Sequence, residues 1–361
     1  MKNTFYIISL LFLLSCSSSE DINTPINAID QEIYFPSNNN TNWETISPAL
    51  LNWNETKLND LYTFLDSKNT KGFIILHNGK IAVEKYFNGH SQTAYNKWYS
   101  TAKSLTATAI GVAQDEGLIN INNKTSDYLG NDWSNLTQEK QDLITVKHHL
   151  TMTTGLINNP INFVDWTCTD KICMKYHSDT GTNWAYHQGA FTQLQRMLSL
   201  NTGNSFEVYI KNKILDKIGA SGSWNSTLSV NVFSSNTRSM ARFGLLSLNK
   251  GKWNNQTIVT EAYFNEMTNT SQNLNKAYGY LWWLNGKNSF VSTGSSSIQG
   301  ELIPAAPNDM FAALGKNDQK IYVVPSLKLV IIRCGESAGG SSLANSSFDN
   351  ELWTKINEVI N

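Results

Sequence analysis

This 361-residue chain lacks three things whose absence closes off classes of function: a basic surplus, a metal-ligand cluster and an internal repeat. Lys and Arg number 28 against 29 Asp and Glu, so the net charge is -1 and no cationic surface for nucleic acid is expected. Cysteines are four, and the two that lie near each other, Cys168 and Cys173, are too few for a zinc site. The paired His148-His149 has no carboxylate or third histidine at ligand spacing, so capping and packing are their expected roles. Without a repeat or a second low-complexity break after about residue 43, solenoid and multi-linker architectures are excluded as well. What remains is a globular body whose chemistry must come from ordinary side chains.

The N-terminus predicts a route and a compartment. Lys2 precedes an apolar run from Phe5 to Leu14 that is too short to span a bilayer and ends in small residues, as a signal peptide does. Leu13-Leu14-Ser15-Cys16 resembles a bacterial lipobox, which implies that residues 1–15 are removed and Cys16 is lipidated. Loss of Lys2 then takes the charge from -1 to about -2. Residues 16–42, rich in Ser, Asn, Asp and Pro, read as a flexible tether. Ser17-Ser18-Ser19-Glu20-Asp21 resembles an acidic export tag, so the expected place is the bacterial cell envelope, anchored in the outer membrane. Both the periplasmic and the surface face stay open. In such an oxidising compartment Cys168 and Cys173 could bridge, with two free thiols as the alternative.

Residues 43–361 exceed the usual size of one core, which predicts one domain with two subdomains. Leu58 to Leu65 reads as an amphipathic helix. Gly72 to His77 and Lys80 to Tyr86 flank Asn78-Gly79, the pair that a type I′ hairpin turn needs. Helices are expected from the Ser100 region to Gly117, from Ile144 to a glycine stop at Gly155, after Tyr186 to about Leu200, and over Met240 to Leu248. Ala277 to Leu284 reads as a strand, and Ile321 to Val324 with Lys328 to Arg333 as a second hairpin in which Cys334 is a buried strand thiol. Strands at both ends with helices between predict an α+β fold. One antiparallel sheet is built from both ends, about 43–112 and 225–361, with a mainly helical part at about 113–224 inserted. The loops Ile157 to Tyr176 and Phe290 to Pro307 are expected to shape the pocket.

The chemistry centres on Trp98-Tyr99-Ser100-Thr101-Ala102-Lys103. Ser100 falls at a helix N-terminus and Lys103 three residues on, which puts hydroxyl and amine on one face. A serine needs a base to become a nucleophile, and a desolvated lysine can be that base. The helix end adds N–H groups where negative charge would develop. A second Ser-x-x-Lys, Ser247 to Lys250, is followed by Gly251 and therefore sits at the wrong end of its helix.

With the Thr153-Thr154-Gly155-Leu156 ending, the Gly181-Thr182 approach to Tyr186, Ser239 to Leu245, Tyr278-Gly279-Tyr280 and the closing hairpin, the chain resembles the penicillin-recognising serine hydrolases related to class C β-lactamases. The resemblance implies a β-lactamase/transpeptidase-like fold, Ser100 as nucleophile, and Lys103 and Tyr186 as coupled proton acceptors, with Lys103 drawing Tyr186 toward its phenolate. The family's Tyr-x-Asn element falls on Tyr186-His187-Gln188, with Gln188 placed to offer an amide to substrate. Its Lys-Thr-Gly or His-Thr-Gly element is replaced by Gly315-Lys316-Asn317. That departure implies the ester- and amide-cleaving branch, which includes 6-aminohexanoate-oligomer hydrolases. Backbone N–H groups of Ser100 and Lys316 would then form the oxyanion hole, with Gly315 and Asn317 beside the substrate. No metal or organic cofactor is implied, and the partner is a small or peptide-like ester or amide. A β-lactamase or D,D-peptidase and an inactive surface binding protein are the competing readings.

Overall fold

The computed structural model describes residues 32–157, 167–227, 230–294, 296–339 and 345–361. The leader, Cys16 and the tether as far as residue 31 lie outside them. Among the described residues no helix is long and apolar enough to cross a membrane.

A six-stranded sheet carries the body. Its strands are β1 (Thr70–His77), β2 (Lys80–Tyr86), β6 (Trp283–Leu284), β7 (Phe311–Gly315), β8 (Gln319–Val324) and β9 (Leu329–Gly335), in the order β2-β1-β9-β8-β7-β6. Every named pairing is antiparallel, and β1 meets β9 with Ile74 opposite Ile332 and Ile75 opposite Ile331. N- and C-terminal strands thus close one sheet, as expected. The hairpin β1–β2 turns at Asn78 and Gly79, whose φ values of 47° and 84° are the left-handed pair its turn requires.

Helices cover this sheet, and its central strands β8 and β9 are buried along their whole length, β1 at all but Lys71 and His77. α1 (Glu55–Ser67) packs on β1 and on the C-terminal helix α6 (Ser347–Ile360), where the rings of Phe64 and Phe348 stack 5.9 Å apart. α5 (Thr237–Leu248) crosses β1, β8 and β9. Between this layer and the helical part runs α2 (Ala102–Asp115), buried from Ala102 to Ala113, a helix apolar enough on all sides to be a core element. It touches α4 (Gln188–Asn201) on its other side, and short helices at Ser126–Leu129, Gln138–Gln141 and α3 (Val146–Leu150) complete that part. A separate three-stranded sheet, in the order β3-β5-β4, joins β3 (Asn96–Lys97), β5 (Val230–Ser235) and β4 (Ser223–Thr227).

Three readings need correcting. The Ile144 segment is helical only to Leu150, because Met152 turns left-handed at φ 61° and the chain runs on as loop to Gly155. Leu281, at φ 59°, likewise breaks the expected Ala277 strand, leaving Trp283–Leu284 in the sheet. The compact unit begins at Ile33 rather than at Trp43. Within it Tyr34 N–H donates to Asn78 O at 3.1 Å, and Arg242 Nη2 donates to Ser37 O at 2.8 Å, so the last part of the expected tether is docked. The loop expectation is taken up below with the cavity. Of the two cysteine alternatives the bridge is the one formed, between Cys168 and Cys173, and Cys334 is buried in β9 as expected. His148 closes a capping box at the start of α3, and His149 is buried between Thr125 and the Ala190 carbonyl. Ser247 is buried and its hydroxyl donates to Phe243 O, so the second Ser-x-x-Lys offers no free nucleophile.

Candidate active site

Ser100 stands in a tight 3₁₀ turn, Tyr99–Thr101, that feeds directly into α2. Tyr99 adopts φ 50°, a left-handed conformation that a side chain tolerates poorly, so the turn before Ser100 is strained and held by its surroundings. Trp98 anchors it: the ring is fully buried and its Nε1 donates to Ser235 Oγ at 2.7 Å. No side chain caps the first turn of α2 at Thr101.

Lys103 is one turn into the helix and buried. Its Nζ lies 3.3 Å from Ser100 Oγ and donates to Gln188 Oε1 at 2.5 Å. The rings of Phe191 and Tyr186 stand 4.3 Å and 5.1 Å from that nitrogen. Burial, which disfavours the charged amine, brings its pKa down to about 7. Tyr186 comes in from the segment before α4, buried against Trp283 with the rings stacked 6.2 Å apart, and its hydroxyl hydrogen-bonds Ser100. Burial pushes the Tyr186 phenol well above the usual tyrosine range, with the Ser100 bond pulling weakly the other way. The expectation that Lys103 would draw Tyr186 toward its phenolate is therefore reversed, because both groups are desolvated: burial keeps Tyr186 a phenol and makes the Lys103 amine easier to deprotonate.

Strand β7 delivers the remaining wall. Gly315 is needed because a Cβ there would meet Trp98 O at 2.5 Å and Thr101 Oγ1 at 2.6 Å, so only a bare backbone can press against the Ser100 turn. Lys316 follows at the mouth of the cavity. Asn317 and Asp318, at φ 58° and 56°, then make two successive left-handed residues, pinned by Arg333 Nη1 donating to their carbonyls at 2.9 Å and 3.0 Å. Thr101 Oγ1 donates to Gln319 O at 3.2 Å and ties the serine turn to β8.

Of these groups Ser100, Lys103, Gln188 and Lys316 line one cavity of about 440 Å³, and Tyr186 stands behind Ser100. Two expected substrate contacts do not reach it. Gly315 is consumed in packing, and the Asn317 amide points to Glu336 at 3.4 Å. Gln188 does line the cavity, yet its carbonyl oxygen is already taken by Lys103 rather than offered to a substrate. Of the loops expected to shape the pocket, residues 158–166 and 295 lie outside the described residues, and the described parts do not line this cavity. The β4–β5 hairpin does so instead, through Trp224, Val230 and Val232, with Phe191 from α4. Val230 and Val232 alternate at strand period, which was visible in the sequence, but nothing local said which cavity the strand would flank. His187, next to Tyr186, faces away from this chemistry: its Nδ1 accepts from Ala190 N–H at 3.2 Å and caps α4.

A model of the beta-lactamase family matches residues 68–333. The chain belongs to that family. Its fold is the one expected, and the family and its structural neighbours are serine hydrolases of the β-lactamase and esterase type. An uncharacterized protein of Alkalihalophilus pseudofirmus is 26% identical over 304 residues, which are 73% of this chain and 83% of that protein. Among solved structures, a Bacillus anthracis protein described as a candidate 6-aminohexanoate-dimer hydrolase superposes with TM-score 0.69 at 18% identity, covering 90% of this chain and 89% of its own. A family VIII carboxylesterase does so with TM-score 0.59 at 16% identity, covering 83% of this chain and 96% of its own. At such identities the likeness is one of fold.

Proposed function

We propose that this family member hydrolyses a carboxylic ester or linear amide through an acyl-enzyme on Ser100. The observation that carries the proposal is a buried amine, brought down to about 7, lying 3.3 Å from the serine hydroxyl. As a neutral amine Lys103 has a lone pair for the Ser100 proton while one of its N–H bonds is occupied by Gln188. Ser100 Oγ attacks the carbonyl carbon, its proton passes to Lys103, and the oxyanion is received by the backbone N–H groups of Ser100 and Lys316. Tyr186, kept as a phenol, donates its proton to the leaving oxygen or nitrogen and is reprotonated from Lys103. Water then resolves the ester on Ser100 with the same groups in reverse. The lining and the absence of a Lys-Thr-Gly element favour ester or linear amide over a β-lactam. The N-terminal lipobox-like Leu13 to Cys16 supports a lipid-anchored protein of the bacterial envelope.

A fluorophosphonate probe is expected to label the wild-type protein and to leave Ser100→Ala unlabelled. Equal labelling of the two would remove Ser100 from the reaction.

A further inference from the structure

The rim of the cavity is cationic although the chain as a whole is not. Lys97 and Lys316 both line it and both are exposed, while no Asp or Glu does. Neither lysine has a carboxylate within 4.0 Å among the described residues. Glu336 feels the charge of Lys97, but it is held by Lys71 at 2.5 Å and by the Asn317 amide. In a protein of net charge -1, two unneutralised ammonium groups at one opening are a local reversal.

Their placement is built rather than incidental. Lys97 lies in β3 opposite Ser234 of β5, whereas Lys316 follows β7 of the main sheet. Asn96 joins the two sheets by donating from Nδ2 to Gln319 Oε1 at 2.7 Å, and Gln319 Nε2 in turn holds Asn317 O at 2.7 Å. The residue beside each lysine is therefore fixed through one shared glutamine. The rest of the wall is mainly apolar, with Phe191, Trp224, Val230 and Val232 beside the uncharged Asn225, Asn231 and Ser234. A mainly apolar wall that carries two cations and no carboxylate selects a molecule that is apolar with one negative charge.

We infer that the substrate carries a negative charge joined to its scissile carbonyl through an apolar chain, and that Lys97 and Lys316 receive that charge. This rests on the hydrolase reading above and narrows it to anionic esters or amides. Each lysine acts at the surface, where one ion pair contributes modestly and salt screens it.

The test compares mono-4-nitrophenyl suberate, which ends in a carboxylate, with neutral 4-nitrophenyl octanoate, by kcat/KM at low and at 0.5 M salt, the salt level being about that which shortens screening to a few ångström. The anionic ester is expected to win by on the order of 10-fold at low salt, with the advantage shrinking at high salt. In Lys97→Glu, and again in Lys316→Gln, the anionic-to-neutral ratio is expected to fall, chiefly through KM. If the neutral ester is turned over by wild type but not by Ser100→Ala, and the ratio is at or below one, the charge inference is overturned and the hydrolase reading stands. Ratios unchanged by both lysine substitutions overturn it too. If neither ester is turned over and the fluorophosphonate fails to label Ser100, the hydrolase reading itself is overturned.

Discussion

A lysine that keeps its proton at neutral pH cannot accept one from serine, and at Lys103 burial removes that obstacle. The sign follows directly. Neutral amine accumulates as pH rises through about 7, so kcat/KM is expected to rise across the same range and to flatten above it. A rate limb centred near the ordinary lysine value would contradict the assignment. Lys103→Met keeps the length of the side chain and removes the base, and is expected to lower kcat/KM by roughly 10²–10⁴-fold while leaving the fold intact. Tyr186, pushed upward by the same burial, should contribute no acid limb of its own, since it remains a phenol throughout. One physical cause thus prepares a base and an acid side by side.

At the scale of elements, the site depends on how closely β7 approaches the turn that carries Ser100. Gly315 sits at that contact with no room for a methyl group on either side. Gly315→Ala is expected to force β7 outward, costing about 1–3 kcal/mol in stability. Displacing the Lys316 N–H should also lower ester turnover by roughly 10²–10³-fold, the usual cost of losing an oxyanion donor. Urea unfolding and steady-state kinetics on the same variant separate the two. A variant that folds with wild-type stability and activity would show that the contact does not set the donor. The Arg333 bonds to Asn317 and Asp318 serve the same end, holding a left-handed pair that side-chain-bearing residues rarely adopt.

For the molecule as a whole, the segment that follows Ile33 is part of the body. Arg242 is buried in α5, with its guanidinium 5.2 Å from the Trp43 ring and 5.7 Å from that of Trp253. It donates to Ile218 O and Ser37 O at 2.7 Å and 2.8 Å, clasping the segment that follows Ile33. Arg242→Met leaves two carbonyls without their donor and is expected to cost about 2–4 kcal/mol by urea unfolding, with fluorophosphonate labelling at Ser100 retained under native conditions. A change of less than about 0.5 kcal/mol would mean that the segment is merely laid against the body.

The sequence by itself determined what depends on near neighbours along the chain. The Ser100–Lys103 spacing, the end of the helix that Ser100 occupies, the Asn78-Gly79 turn and the rejection of Ser247 all follow from separations of a few residues. Period and turn chemistry are local, so they are readable in one dimension. Only the tertiary structure decided the rest. That the Lys103 amine is brought down to about 7, that Gly315 is a wedge and not a substrate contact, that Gln188 turns to Lys103, and that the β4–β5 hairpin walls the cavity each require residues far apart in the chain to meet. Desolvation and close packing are properties of an enclosure. No stretch of sequence contains one until the sheet has closed.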